Sequence, residues 1–120
     1  MIKGAGEQIR LAVTAWPGVE AHPHRFGGTE YRLGSREIGH VHGDTLLDIP
    51  FPVKVRAELV AAGKASPHHL LPETGWISFY IRRPEDVDAA LDLLRRSCDL
   101  AQAQLARRET KQQETDDQNE

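Results

Sequence analysis

Residues 19–51 restrict the possible fold more than any other part of this chain. They contain four β-compatible runs, "VEAHPHRF", "TEYRL", "REIGHVH" and "TLLDIPF", cut by breaks of "GG", "GS" and "GD". Glycine-containing breaks this short between strand-like runs are hairpin signals, so the four runs are expected to pair antiparallel in sequence order, with "GD" as a two-residue turn. Pro23 has no N–H to give to a ladder, so the first strand is expected to lie at an edge or to begin late. Such a sheet has to bury one face under other elements, and the flanking sequence supplies helices.

Ile9, Ala12, Val13 and Trp16 recur at helical spacing over residues 5–16, and "WPG" ends that helix. "PVKVRAELVAAGK" reads as a second helix, with Pro52 in its first turn and Gly63 as its stop. A loop, "KASPHHLLPETG", leads to the strand "WISFYI", which carries Trp76, Ser78 and Tyr80 on one face and Ile77, Phe79 and Ile81 on the other. Pro84, Glu85 and Asp86 open a last helix, whose apolar stripe is Val87, Leu91, Leu94, Cys98, Ala101 and Leu105. The order α-β-β-β-β-α-β-α predicts an α+β fold, an antiparallel sheet of about five strands packed against helices. A chain of 120 residues makes one domain, placed at residues 1–108. Residues 109–120 hold five acids, one base and no apolar side chain, and are expected to form a disordered acidic tail.

Outside that tail, 14 Lys and Arg face 13 Asp and Glu, so the folded part lacks the basic footprint of a nucleic-acid binder. No apolar run reaches membrane-spanning length, and "MIKGAGEQIR" lacks the features of a secretory leader. A soluble, cytoplasmic protein is expected. The single cysteine, Cys98, rules out an intrachain disulfide and a thiolate zinc site, and its place on the helix stripe marks it for packing. No nucleophile elbow, phosphate loop or dinucleotide fingerprint is present. A homodimer through an apolar helix face or the Pro23 edge is compatible with the pattern, but nothing in the sequence selects it.

The remaining chemistry lies in six histidines, all in pairs: His22 and His24, His40 and His42, His68 and His69. Two residues apart on a strand, His40 and His42 project to the same face. They form a candidate catalytic pair and a candidate ligand pair for a divalent metal, with the third ligand open to Asp44, Asp48, His68, His69 or Glu73 and Asp44 taken for it; no other cofactor is indicated. Asp48, His68, His69 and Trp76 are the candidate ligand-binding residues, with Trp76 as the wall for a flat aromatic molecule. Adjacent residues on an extended loop diverge, so only one of His68 and His69 is expected to join a given site. Pro23 between His22 and His24 marks an irregular edge. Glu30, Glu37 and Asp48 are carboxylates within strands and need partners, with Arg25, Arg32 and Arg36 the first choices. A strand H-x-H also opens the cupin motif, but Leu46 and Leu47 stand where that motif wants a glutamate.

Three stretches, "HPHRFGGTEYRLGSREIGHVHGDTLLDIPFP", "ELVAAGKASPHHLLPETGWISFYI" and "EDVDAALDLLRRSCDLA", together resemble the bacterial branch of the luciferase-domain family, named after the fungal luciferases. The resemblance spans about residues 16–101. Its most specific parts are "GH-x-H-G-D", "PHH-LPE-GW" and the closing "A-LLR-S" helix. The C-terminal helix, strand and helix are also similar in architecture to the MmcQ/YjbR-like fold, which brings a DNA-binding suggestion that the near-neutral charge does not support. Fungal luciferases oxidise a hydroxylated pyrone with molecular oxygen, and kinship of fold does not transfer a reaction. The resemblance implies that His40, His42, Asp44, Asp48, His68, His69 and Trp76 line one polar pocket with an aromatic wall.

Three readings follow. An enzyme would use His40 or His42 as a general base toward a small aromatic or enolic molecule stacked on Trp76, because an imidazole titrates near neutral pH. A binding module would hold such a ligand, or a protein partner, without turnover. A structural reading makes the histidines a hydrogen-bond network that fixes the sheet.

Overall fold

The computed structural model describes residues 2–24, 27–71 and 73–118. The elements run α1 (Ala5–Val13), β1 (Val19–Pro23), β2 (Thr29–Leu33), β3 (Arg36–His42), β4 (Leu46–Pro50), α2 (Val53–Ala61), β5 (Ser66–Pro67), β6 (Trp76–Tyr80) and α3 (Asp86–Gln118). The fold is α+β, as expected. Its antiparallel sheet has six strands rather than about five, in the order β1-β2-β3-β4-β6-β5. The extra strand, β5, is two residues long, and Pro67 within it hides any strand signal. Its neighbour in the sheet is β6, where Ser66 pairs with Ser78 and Pro67 with Ile77. The strand carrying Pro23 lies at the opposite edge.

Alternate residues send the apolar side chains to one face. Tyr31, Val41, Leu47, Ile49 and Ile77 join Ile9 and Val13 of α1 and Val87, Ala90, Leu94 and Cys98 of α3 in a single buried core. The helix α3 packs against α1 and crosses β2, β3 and β4. Gly39 permits that crossing. A Cβ at this position would stand 2.7 Å from Leu94 Cδ2, and the backbone has φ 155°, a conformation side chains rarely adopt. The helix α1 ends at Val13, short of Trp16, because the chain must already be turning into Pro17.

Two departures from regular hairpins set the other face. The "GD" break is a three-residue loop instead of a two-residue turn: His42 pairs with Leu46, and His40 with Asp48. Gly43 supplies the left-handed residue (φ 57°), and Thr45 N–H closes the turn on His42 O. One residue fewer would have sent Asp48 to the helix side. The second departure is a bulge in β3. Tyr31 pairs with Gly39 while Arg32 pairs with Glu37, leaving Ile38 as the extra residue. Residues three apart on a regular strand point to opposite faces, but across this bulge Glu37 and His40 share one.

Residues 109–118, expected as a disordered tail, continue α3 as exposed helix. No glycine or proline interrupts the stretch. Side-chain hydrogen bonds one turn apart support it, from Gln112 to Asp116 and from Gln113 to Asp117. Among the described residues no helix is long and apolar enough to cross a membrane.

Candidate functional site

The face turned away from α1 and α3 is floored by β3, β4 and β6, and the segment after β5 folds over it. Together they enclose a cavity of about 480 Å³. Its polar lining is His24, Glu37, His40, His42, Asp48, His68 and His69; Leu70, Leu71 and Trp76 complete it. Leu70 and Leu71 are exposed at the rim.

Asp48 is the centre of the arrangement. Its side chain is 1% exposed, and Ser78 Oγ donates to Oδ1 at 2.7 Å. Four imidazole nitrogens converge on the other oxygen, Oδ2. They are Nε2 of His42 at 3.1 Å, of His40 at 3.3 Å, of His68 at 3.5 Å and of His69 at 3.6 Å. Burial pushes the Asp48 carboxyl up. Hydrogen bonds from His40 and Ser78, with the charges of His68 and His40, outweigh that and hold it well below the usual carboxylate range.

Glu37, brought round by the bulge, meets His40 Nδ1 at 2.8 Å. His40 therefore spans two carboxylates. Burial pushes its pKa down, but hydrogen bonds to Asp48 and Glu37 and their charges overcome this and raise it to about 9. His40 is thus a buried imidazolium at neutral pH with both N–H groups engaged. With Glu37 and Asp48 beside its two ring nitrogens, His40 has no lone pair turned to the cavity, and a general base must have one to offer.

His68 is fixed differently. Its Nδ1 accepts backbone N–H groups from Leu70 at 3.1 Å and Leu71 at 3.2 Å, which keeps the neutral ring's proton on Nε2. Burial, the main cause, lowers its pKa despite the nearby Asp48 charge. The expected divergence of His68 and His69 does not occur. Their rings stack at 4.4 Å, and both Nε2 atoms face Asp48. The side chains of His42 (32% exposed) and His69 (40%) are the open members of the cluster; those of His40 and His68 (8% each) are buried. Trp76 forms the aromatic wall, its ring centroid 5.4 Å from His40 and 5.9 Å from His68.

Asp44, expected as a metal ligand beside His40 and His42, is elsewhere. Its carboxylate accepts N–H groups from Gly6 at 2.8 Å and Gly4 at 3.1 Å, which caps α1 and lowers the Asp44 pKa. The carboxylate that joins the two histidines is Asp48. Groups able to hold a cation among the described residues are His40, His42 and Asp48; His24, Glu37 and His40; and Asp48, His68 and His69. His24 reaches the site through a stacked contact with His40 (centroids 4.0 Å apart), whereas His22 lies beside Glu20. Of the strand carboxylates, Glu30 pairs with Arg32 as expected. Glu37 and Asp48 take histidines instead of arginines, and Arg25 lies outside the described residues. Glu37's part in the site is visible in the sequence only as an acid within a strand, since nothing in "SREIGH" announces a bulge.

The model of the Luciferase domain family matches residues 35–97, just over half of the chain. The matched span contains every lining residue of the cavity except His24. No curated protein and no solved structure matches the chain.

Proposed function

The chain belongs to the luciferase-domain family, and from that premise we propose that its cavity binds a small planar molecule with an acidic enol or phenol hydroxyl and takes the proton from it. The observation that carries this reading is the convergence of four imidazoles on the buried Asp48 at the floor of a cavity walled by Trp76. A cavity of about 480 Å³ suits a ligand of one or two rings. The indole offers a flat apolar surface, and the cluster offers nitrogen donors and acceptors at the ligand's edge.

The proton acceptor is an open imidazole, His42 or His69. His42 Nε2–H donates to Asp48 at 3.1 Å, which leaves Nδ1 as its basic nitrogen. The O–H bond of the ligand breaks, the proton moves to the imidazole, and the electron pair stays on the enolate oxygen. Asp48 stabilises the imidazolium so formed, as a carboxylate does behind any histidine base. His40, already charged, supplies a fixed positive charge beneath the developing anion.

The test is a fluorescence titration of a Trp16→Phe chain, in which Trp76 is the one remaining tryptophan. A hydroxypyrone is expected to quench Trp76 and bind at least tenfold more tightly than its methyl ether, which has no proton to give. Equal binding of both, or of neither, refutes the reading.

A further inference from the structure

We infer that His40, His42 and Asp48 form a binding site for one divalent first-row transition-metal ion, with Glu37 as the outer carboxylate that orients His40. This does not rest on the small-molecule reading, since it concerns the floor of the cavity alone.

A carboxylate oxygen has about two lone-pair directions. Four Nε2 atoms lie within 3.6 Å of Asp48 Oδ2, more than hydrogen bonds to that oxygen can satisfy. A cation held at Asp48 gives two of these nitrogens another partner and relieves the crowding at that oxygen.

An ion about 2.0–2.2 Å from each nitrogen and oxygen ligand separates neighbouring ligand atoms by roughly 3.0–3.5 Å. His40 Nε2 and His42 Nε2 lie 3.3 and 3.1 Å from Asp48 Oδ2, within that range, and the three ligand atoms all lie within 4.8 Å of one another.

Proton placement selects among the three groups. A histidine that binds through Nε2 must carry its proton on Nδ1. His68 cannot do so in this setting, because two backbone N–H groups already point at its Nδ1. The group of Asp48, His68 and His69 is thereby reduced to two ligands. In the group of His24, Glu37 and His40, the 2.8 Å bond from His40 Nδ1 to Glu37 would have to be given up. Only His40, His42 and Asp48 keep every other hydrogen bond. His40 Nδ1–H still donates to Glu37, and Ser78 still holds Asp48 Oδ1. A metal-bound histidine backed by a carboxylate is a common supporting arrangement. On binding, His40 releases its Nε2 proton to solvent, and His42 moves its own to Nδ1. Two imidazoles and one carboxylate leave coordination positions open toward the cavity, where His69 stands beside them.

The test uses the full chain, stripped with chelator and titrated with Co(II), followed by visible d–d absorption and by calorimetry, with no small molecule present. One ion per chain is expected. The His42→Ala chain should bind at least 100-fold more weakly. Glu37→Gln should lose roughly tenfold to 100-fold, as removal of an outer-shell partner does. His22→Ala should stay within threefold. His42→Gln serves in place of His42→Ala if circular dichroism shows the alanine chain unfolded. Absence of stoichiometric Co(II) binding overturns the inference. So does a His68→Ala chain that loses as much affinity as His42→Ala, because that result assigns the ion to the excluded triad. Hydroxypyrone binding to the metal-free chain is read separately, so either proposal can fail while the other stands.

Discussion

The two faces of the sheet are made from alternate residues of the same strands, yet they solve different problems. On the helix side, Val41, Leu47, Ile49 and Ile77 meet α1 and α3 in a core of apolar side chains. On the open side, one position away along each strand, His40, His42, Asp48 and Ser78 form a polar floor built round one carboxylate. The apolar face needs volume and fit, which many residue combinations supply. The polar face needs particular atoms within 3–4 Å of each other, so single steps of register decide it. A loop one residue shorter after His42 or a β3 without its bulge would leave the core pattern largely in place and dismantle the cluster.

The contrast can be broken most severely from the helix side. Leu94 is fully buried beneath α3, and Leu94→Ala should destabilise the fold by about 2–5 kcal/mol in urea unfolding, with hydroxypyrone affinity unchanged under folding conditions. On the open side the largest effect belongs to Asp48→Asn. It leaves the His40 charge without one of its two partners and should cost about 3 kcal/mol at pH 7, with a weaker fall of stability in acid than the parent shows.

The next effect is Gly39→Ala, where the added methyl meets Leu94. A loss of roughly 1–3 kcal/mol is expected. Combined with Leu94→Ala the two losses should sum to less than their separate values, because the larger change removes the obstacle.

The pH response is of comparable size. The His40 pKa of about 9 in the folded chain exceeds its usual 6.5, so its contribution to stability is complete below pH 6.5 and is lost as pH rises through 9. The depressed carboxyl of Asp48 contributes above its usual 3.8 and loses that contribution as pH falls. Melting temperatures measured from pH 6 to 10 should therefore decline on the alkaline side, and Glu37→Gln should flatten the decline. The smallest effect belongs to His22→Ala, whose side chain is outside the cavity. Its stability should stay within about 0.5 kcal/mol of the parent.

The sequence discloses the apolar face almost completely, because its signals are local. Glycine breaks mark the hairpins, period two marks the strands, and three- and four-residue steps mark α3. Half of the open face is equally local: His40 and His42 share a side by strand geometry alone. The rest depends on events with no local signature. Asp44 and Asp48 are both plausible partners in the sequence, and only the three-residue loop decides that Asp48 faces His40 while Asp44 turns to cap α1. Glu37 needs a bulge at Ile38, and His68 needs two backbone N–H groups from its own loop. The helical course of residues 109–118 was hidden by composition, since a charged, apolar-free segment reads as disorder unless it continues a helix already started.

The most direct test of the account is to remove the two open imidazoles together, as His42→Ala/His69→Ala, and measure urea unfolding and hydroxypyrone binding on the same chain. A working pocket predicts a loss of no more than about 1 kcal/mol of stability, since both side chains are partly exposed, and at least a tenfold loss of hydroxypyrone affinity. A fall of several kcal/mol with hydroxypyrone affinity unchanged would contradict it, and would make the histidine cluster a brace for the sheet instead of a site.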